Sequence, residues 1–298
     1  MSVAWHGCTR AQRPDNVRIP ASEHPGPPRG GRHGQWRATG TVGGVQVDLL
    51  FDPFGGRWED LRDAAVLAEE AGFDGVWLYD HLAGSAHRAS HVLECWTVLS
   101  ALAAAVPQLA IGSLVLNVAN RDAGTLAVMA ATLQEVSAGR LLLGIGAGGG
   151  ARTPYAEEQL ALGRPVPADA GRRAAVESTI ATLRQVWSGT VGGAGGFLRP
   201  SPSPPVIVGG FGPKMAELAG RLGDGINVPS GRLLPRLLDV ARDAHAAAGR
   251  DPDTFLVTTS GSPTDDRLAR LGVHRVITMV RPPYTDSVGH LARALGQR

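Results

Sequence analysis

The segment Gly209-Gly210-Phe211-Gly212-Pro213-Lys214 combines residue types suited to holding an anion. Glycines let the backbone come close to a ligand. A proline where a helix begins leaves free N–H groups aimed outward, at the positive end of the helix dipole. Lys214, the only lysine in the chain, adds a point charge. A phosphate is the ligand such a turn would take; the alternative is a tight strand-to-helix turn with no ligand. Asp80-His81 sets an imidazole, which titrates near neutral pH, beside a carboxylate, a pairing suited to acid–base work. A structural histidine is the other reading. The run Gly144-Ile145-Gly146-Ala147-Gly148-Gly149-Gly150 opens a long loop rather than a helix, so it is a weak match to a dinucleotide fingerprint. It reads as a wall that a flat ring can approach closely, or as a flexible loop. His87 and His91, spaced i, i+4, invite a metal reading together with His81, but no carboxylate or cysteine completes a ligand set.

These residues follow short apolar runs that alternate with amphipathic stretches, the pattern of βα units around a parallel sheet. The strands are expected at 45–51, 75–79, 109–116, 140–145, 206–208, 225–228, 255–259 and 273–280. Helical stripes lie between them: Leu61, Ala64, Ala65 and Ala68; Trp96, Leu99 and Leu102; Leu126, Met129, Leu133 and Val136; Val176, Ile180, Leu183 and Trp187; Met215, Leu218 and Leu222; Leu233, Leu237 and Val240; Val288, Leu291 and Leu295. Eight such units predict a single (β/α)8 TIM barrel over residues 45–298, with an open doubly wound sheet as the alternative. In a barrel the site lies at the C-terminal ends of the strands. Those ends carry Asp80 and His81, then Asn117, Asn120 and Arg121, then the two glycine runs, then Asn227. Between residues 146 and 170 the sequence predicts a long loop.

Residues 1–44 are rich in Pro, Gly and Arg and show no sustained periodicity, which predicts a disordered extension; a basic arm that touches a partner is the other reading. The net charge of +2 is too small to imply a nucleic-acid partner, and no apolar run is long enough for a membrane helix. Cys8 and Cys95 make no disulfide framework, and the N-terminus carries no apolar signal segment, so a cytoplasmic protein is expected.

In order along the chain, 71–77 (AGFDGVW), Asp80-His81, 131–140 (ATLQEVSAGR), 143–148 (LGIGAG), 205–214 (PVIVGGFGPK) and 224–227 (DGIN) resemble the bacterial-luciferase-like flavin and deazaflavin oxidoreductases, most of all the branch that uses coenzyme F420. The resemblance runs from about Val47 to Val228. It implies a TIM barrel, usually a homodimer, that binds F420, or FMN as the alternative, and acts on a small molecule. His81 would face the reacting centre of the ring as the catalytic acid–base group, and Asp80 would contact the deazaflavin. A non-prolyl cis bulge at Leu114-Val115 would lie behind the ring, with Asn117 at its edge. Gly146, Ala147, Gly148 and Gly149 would line the cofactor's side chain, and Gly209, Gly210, Phe211 and Gly212 would hold its phosphate. The implied reaction is hydride transfer between the deazaflavin C5 and a substrate carbon. An FMN-dependent monooxygenase and a barrel that binds a flavin-like cofactor without catalysis are the competing readings. Two features depart from the family's sugar-phosphate dehydrogenases. Gly149 stands where those carry an acid, and Gly84 and Ser85 stand near the place of an expected aromatic residue.

Overall fold

The computed structural model describes residues 41–42, 44–193 and 195–296. Eight parallel strands form in chain order: β1 Val45–Phe51, β2 Gly75–Leu78, β3 Ala110–Ser113, β4 Leu141–Gly146, β5 Val206–Gly209, β6 Gly225–Asn227, β7 Leu256–Ser260 and β8 Arg275–Val280. Each pairs with the next, and β8 pairs back onto β1 with Val276 opposite Val47, so the sheet closes. This is the expected TIM barrel. Nearly every strand residue is buried, because one face looks into the barrel and the other is covered by helices. Leu50, Trp77, Ala110, Leu114, Leu142, Ile207 and Ile277 fill the interior, and the larger core lies between strands and helices.

The strands depart from expectation in two places. The run expected at 109–116 divides into β3 and a two-residue strand, Leu116–Asn117, that pairs with β4. The Leu114–Val115 peptide between them is cis, at the position where the resemblance implies such a bond. At the front of the chain, Thr41–Val42 pairs antiparallel with β1, so β-structure starts four residues before the expected domain boundary. The rest of the extension expected over 1–44, apart from Gly44, lies outside the described residues.

The helices are α1 Trp58–Glu70, α2 Cys95–Ala105, α3 Ala123–Val136, α4 Glu157–Ala161, α5 Asp169–Ser188, α6 Pro213–Leu222, α7 Leu234–Ala247, α8 Arg267–Arg270 and α9 Tyr284–Ala294. Most of the expected stripes are buried. Val136 and Leu233 are exposed, because each falls at a helix end where the chain turns away from the sheet. The long loop expected after β4 is not structureless: it contains a 3-10 turn, Pro154–Ala156, running into α4. That short helix decides the geometry of the barrel mouth.

Candidate active site

Asp80 stands two residues past the end of β2, and its side chain is fully buried. Four donors converge on it. Arg121 donates from both terminal nitrogens, each at 2.9 Å, and Asn120 Nδ2 and the Asn117 backbone N–H donate to Oδ2, each at 2.9 Å. Arg121 also pairs with Glu94, which caps the N-terminus of α2. These two carboxylates raise the guanidinium's pKa further, against the burial that opposes it. Asp80 is therefore a knot that ties the end of β2 to the segment after the cis peptide. Both of its oxygens are engaged within the protein.

His81, the next residue, presents a side chain with 16% of its surface exposed. Aromatic rings surround it: Phe54 at 5.2 Å, Tyr155 at 5.3 Å, His87 at 5.9 Å and Tyr79 at 6.3 Å between centroids. His87 stacks on Phe54 at 4.1 Å. Burial, followed by the charge of Asp52 and the nearby Tyr155, pushes the Tyr79 phenol up to about 12, so it stays protonated at neutral pH. The imidazole's Nδ1 lies 3.3 Å from Glu158 Oε1 on α4. Glu158 Oε2 accepts from the backbone N–H groups of Leu82 (2.8 Å) and Ala83 (3.3 Å). Its neighbour Gln159 donates to Asn120 Oδ1 at 2.5 Å. Helix α4 thus clamps the ends of β2 and of the β3 segment at once.

Val115, beyond the cis peptide, is the partly exposed residue between buried Leu114 and Leu116. The glycines of β4 and β5 make room for it. A Cβ at Gly146 would meet Val115 Cγ2 at 2.6 Å, and one at Gly209 would meet its Cγ1 at 2.8 Å. Gly148, at φ +66°, lies against the Asn117 amide, and Gly149 lies against Thr153 and Tyr155. Arg172 of α5 braces this loop by donating to the Ala147 (3.2 Å) and Gly148 carbonyls. In the β5 turn the Gly210 N–H is spent on the Asn227 carbonyl at 3.2 Å. The N–H groups of Phe211, Gly212 and Lys214 have no acceptor among the described residues. Phe211 is 81% exposed, and a Cβ at Gly212 would meet nothing within 4 Å. Open space and free donors therefore coincide at Phe211–Lys214, displaced by two residues from the start of the glycine run.

His91 does not join the others. Its Nε2 donates to the Gly56 carbonyl at 3.0 Å and its Nδ1 contacts Ser90, so it is a structural histidine. Among the described residues no group of three or more His, Cys, Asp or Glu side chains is arranged to hold a metal. Sequence reading missed Phe54, Tyr155 and Glu158. Phe54 stands three residues past β1, so inspecting the end of that strand as closely as the others would have found it. Tyr155 and Glu158 lie inside what reads as a loop, where no periodicity marks them.

Residues 31–267 match the family model described as luciferase-like monooxygenase. Over 226 residues the chain is 32% identical to the F420-dependent glucose-6-phosphate dehydrogenase of Microbacterium testaceum, a match covering 70% of this chain and 66% of that protein. Over 224 residues it is 30% identical to the F420-dependent hydroxymycolic acid dehydrogenase of Mycobacterium tuberculosis, covering 71% and 60%. The matches thus span slightly under two thirds of these relatives' own length. Among solved structures, an F420-dependent secondary alcohol dehydrogenase in complex with an F420–acetone adduct shares the fold with a TM-score of 0.72 at 17% identity, over 84% of this chain and 97% of that one.

Proposed function

The chain belongs to the luciferase-like monooxygenase family, and from that premise we propose that it is an F420-dependent oxidoreductase, cytoplasmic and homodimeric, acting on a small organic substrate. The observation that carries the reading is a juxtaposition at one end of the barrel. His81 sits in an aromatic recess at the end of β2, and the unpaired N–H groups of Phe211, Gly212 and Lys214 follow β5 at the same end. The relatives named above, F420-dependent by name, support the choice of cofactor.

The residues fit a flat, phosphorylated cofactor. The free N–H groups and the Lys214 ammonium would hold its phosphate, with Gly209 and Gly210 giving the turn its shape. Leu114 and Val115 would back the ring and Asn117 would meet its edge, while Gly146, Ala147, Gly148 and Gly149 would line the side chain. Asp80 serves by fixing the Asn117 backbone and, through Arg121, the start of α2. When bound, F420 supplies the hydride donor or acceptor at its C5. His81 takes the substrate's hydroxyl proton when the substrate is oxidised and returns it when the substrate is reduced. Phe54 and Tyr155 flank the imidazole, which keeps part of its surface open. Tyr79, beside it, stays a neutral phenol, its pKa pushed up to about 12 by burial.

Titration of the purified chain with F420 and with FMN, each in both redox states, tests this reading. F420 is expected to bind and FMN not. Tight FMN binding without F420 binding would turn the assignment to a flavin monooxygenase, and binding of neither would favour a barrel of another kind. With a substrate found, His81→Ala is expected to lose at least about 10²-fold in kcat, the usual worth of a general acid–base group. Unchanged turnover would remove His81 from the chemistry.

A further inference from the structure

The acid absent at Gly149 has a counterpart nine residues later in the chain. Glu158 reaches the same imidazole from α4, with one oxygen 3.3 Å from His81 Nδ1 and the other held by the backbone immediately after His81. We infer that Glu158 is the positioning residue for His81: it holds the imidazole as the Nδ1–H tautomer and leaves Nε2 to exchange the substrate's proton. The inference rests on the reading of His81 given above.

Three observations carry it. First, Nδ1 is shut off from solvent, while the ring as a whole keeps part of its exposure. The nitrogen that meets substrate is therefore Nε2. Second, a neutral imidazole carries one proton, and its position follows the acceptor that the ring faces. Among the described residues, Glu158 is the only carboxylate within 4 Å of either ring nitrogen. Third, burial pushes the Glu158 carboxyl up, but the neighbouring His81 imidazole and the hydrogen bonds from the Leu82 and Ala83 backbone outweigh it and hold it below the usual carboxylate range. It is a carboxylate at neutral pH and so an acceptor. Being 5% exposed, with one oxygen taken by two backbone donors, it is badly placed to donate a proton to substrate itself. The 3.3 Å contact lies off the line of a direct hydrogen bond, as catalytic contacts often do before substrate closes them.

In the oxidising direction, the substrate O–H bond breaks and its proton forms a bond to His81 Nε2. The hydrogen on the substrate carbon would leave with its bonding pair as a hydride, for which bound F420 would be the acceptor, and the carbon–oxygen bond becomes a carbonyl. The imidazolium shares its Nδ1 proton with Glu158 and later releases the Nε2 proton to water. Reduction runs the same steps backwards. The carboxylate stays charged throughout, as the buried aspartate does in a Ser-His-Asp triad.

Nitrogen-15 spectra of the histidine-labelled full chain at mildly alkaline pH read the tautomer without any turnover. The His81 resonances are assigned by their loss in His81→Ala. In the wild-type protein Nδ1 should carry the proton. In Glu158→Gln, whose amide oxygen can still accept from Leu82 and Ala83, the Nε2–H form should gain roughly tenfold in the tautomer ratio. With F420 bound as tightly as in the wild type, Glu158→Gln should lose on the order of 10²-fold in kcat with KM nearly unchanged, and Glu158→Asp should recover part of the loss. An Nε2–H tautomer at His81 in the wild-type protein overturns the inference, and this holds even if the glutamine variant fails to fold. An unchanged tautomer ratio, or turnover within about twofold of wild type, in a folded Glu158→Gln overturns it too. If His81→Ala keeps its turnover, the proton-transfer reading fails instead.

Discussion

Gly144, Gly209 and Gly212 look interchangeable in the sequence, as glycines just after or late within apolar runs, yet space around them divides their roles. A methyl group at Gly144 would land on the Ser113 carbonyl oxygen of the neighbouring strand, which cannot swing away. Gly144→Ala should therefore cost about 1–3 kcal/mol or more in urea denaturation, as overpacking at a backbone contact does. Gly212 has an extended backbone and open surroundings. Gly212→Ala should leave stability within about 0.5 kcal/mol of wild type. The same variant should weaken F420 binding on the order of tenfold, because on the proposed reading the new methyl group would stand where the free N–H donors would meet the phosphate. Loss of stability at 212 with undiminished binding would place the phosphate elsewhere. Glycine-rich turns after strands were legible in the sequence. Which glycines accommodate Val115 and which face open space depends on the cis peptide and its neighbours, and no one-dimensional pattern carries that.

At the scale of elements, α2 and α4 both tie the end of β2 to the segment after β3, and both depend on carboxylates. Glu94 caps α2, accepting from Trp96 N–H at 3.0 Å and from Thr97 N–H at 2.7 Å while pairing with Arg121. Partial burial pushes its carboxyl up, but the bonds from Thr97 and Trp96 and the charge of Arg121 bring it below the usual range. A carboxyl whose folded value is depressed contributes stability that is fully present above its unfolded value of about 4.3 and is lost as pH falls through the folded one. Glu94→Gln should thus be less stable than the wild type at neutral pH, and the difference should shrink as melting curves are taken below about pH 4. A difference that stays constant down to acid pH would mean that the cap works by shape and not by charge. Helix α2 was legible from its Trp96-Leu99-Leu102 stripe. Helix α4 was not: with five residues it is too short to show a period, and its value lies in Glu158 and Gln159, whose partners are 76 and 39 residues away.

The whole molecule depends on closing the barrel, and the seam is a buried ion pair between its first and last strands. Arg275 donates to Asp48 Oδ2 at 2.6 Å and Oδ1 at 2.7 Å, across 227 residues of chain, and Trp77 Nε1 adds a third bond at 2.8 Å. The eight βα units were readable from apolar runs. The seam was not, because an arginine and an aspartate at opposite ends of a sequence declare no partnership until the sheet curves round. Both side chains are almost wholly removed from water. Arg275→Met should leave Asp48 charged and short of partners, at a cost of about 3–5 kcal/mol in urea denaturation. Removing both charges, as Arg275→Met with Asp48→Leu, should recover most of that loss, since the desolvation both ions suffer offsets much of their attraction. Arg275 opens β8 and Asp48 pairs with the first residue of β2, so the seam lies towards the N-terminal ends of the strands, away from His81 and the β5 turn. The folded fraction of either variant should therefore bind F420 as the wild type does. Weakened binding in the double variant would mean that barrel closure sets the shape of the mouth, and that the two ends of the barrel are not independent.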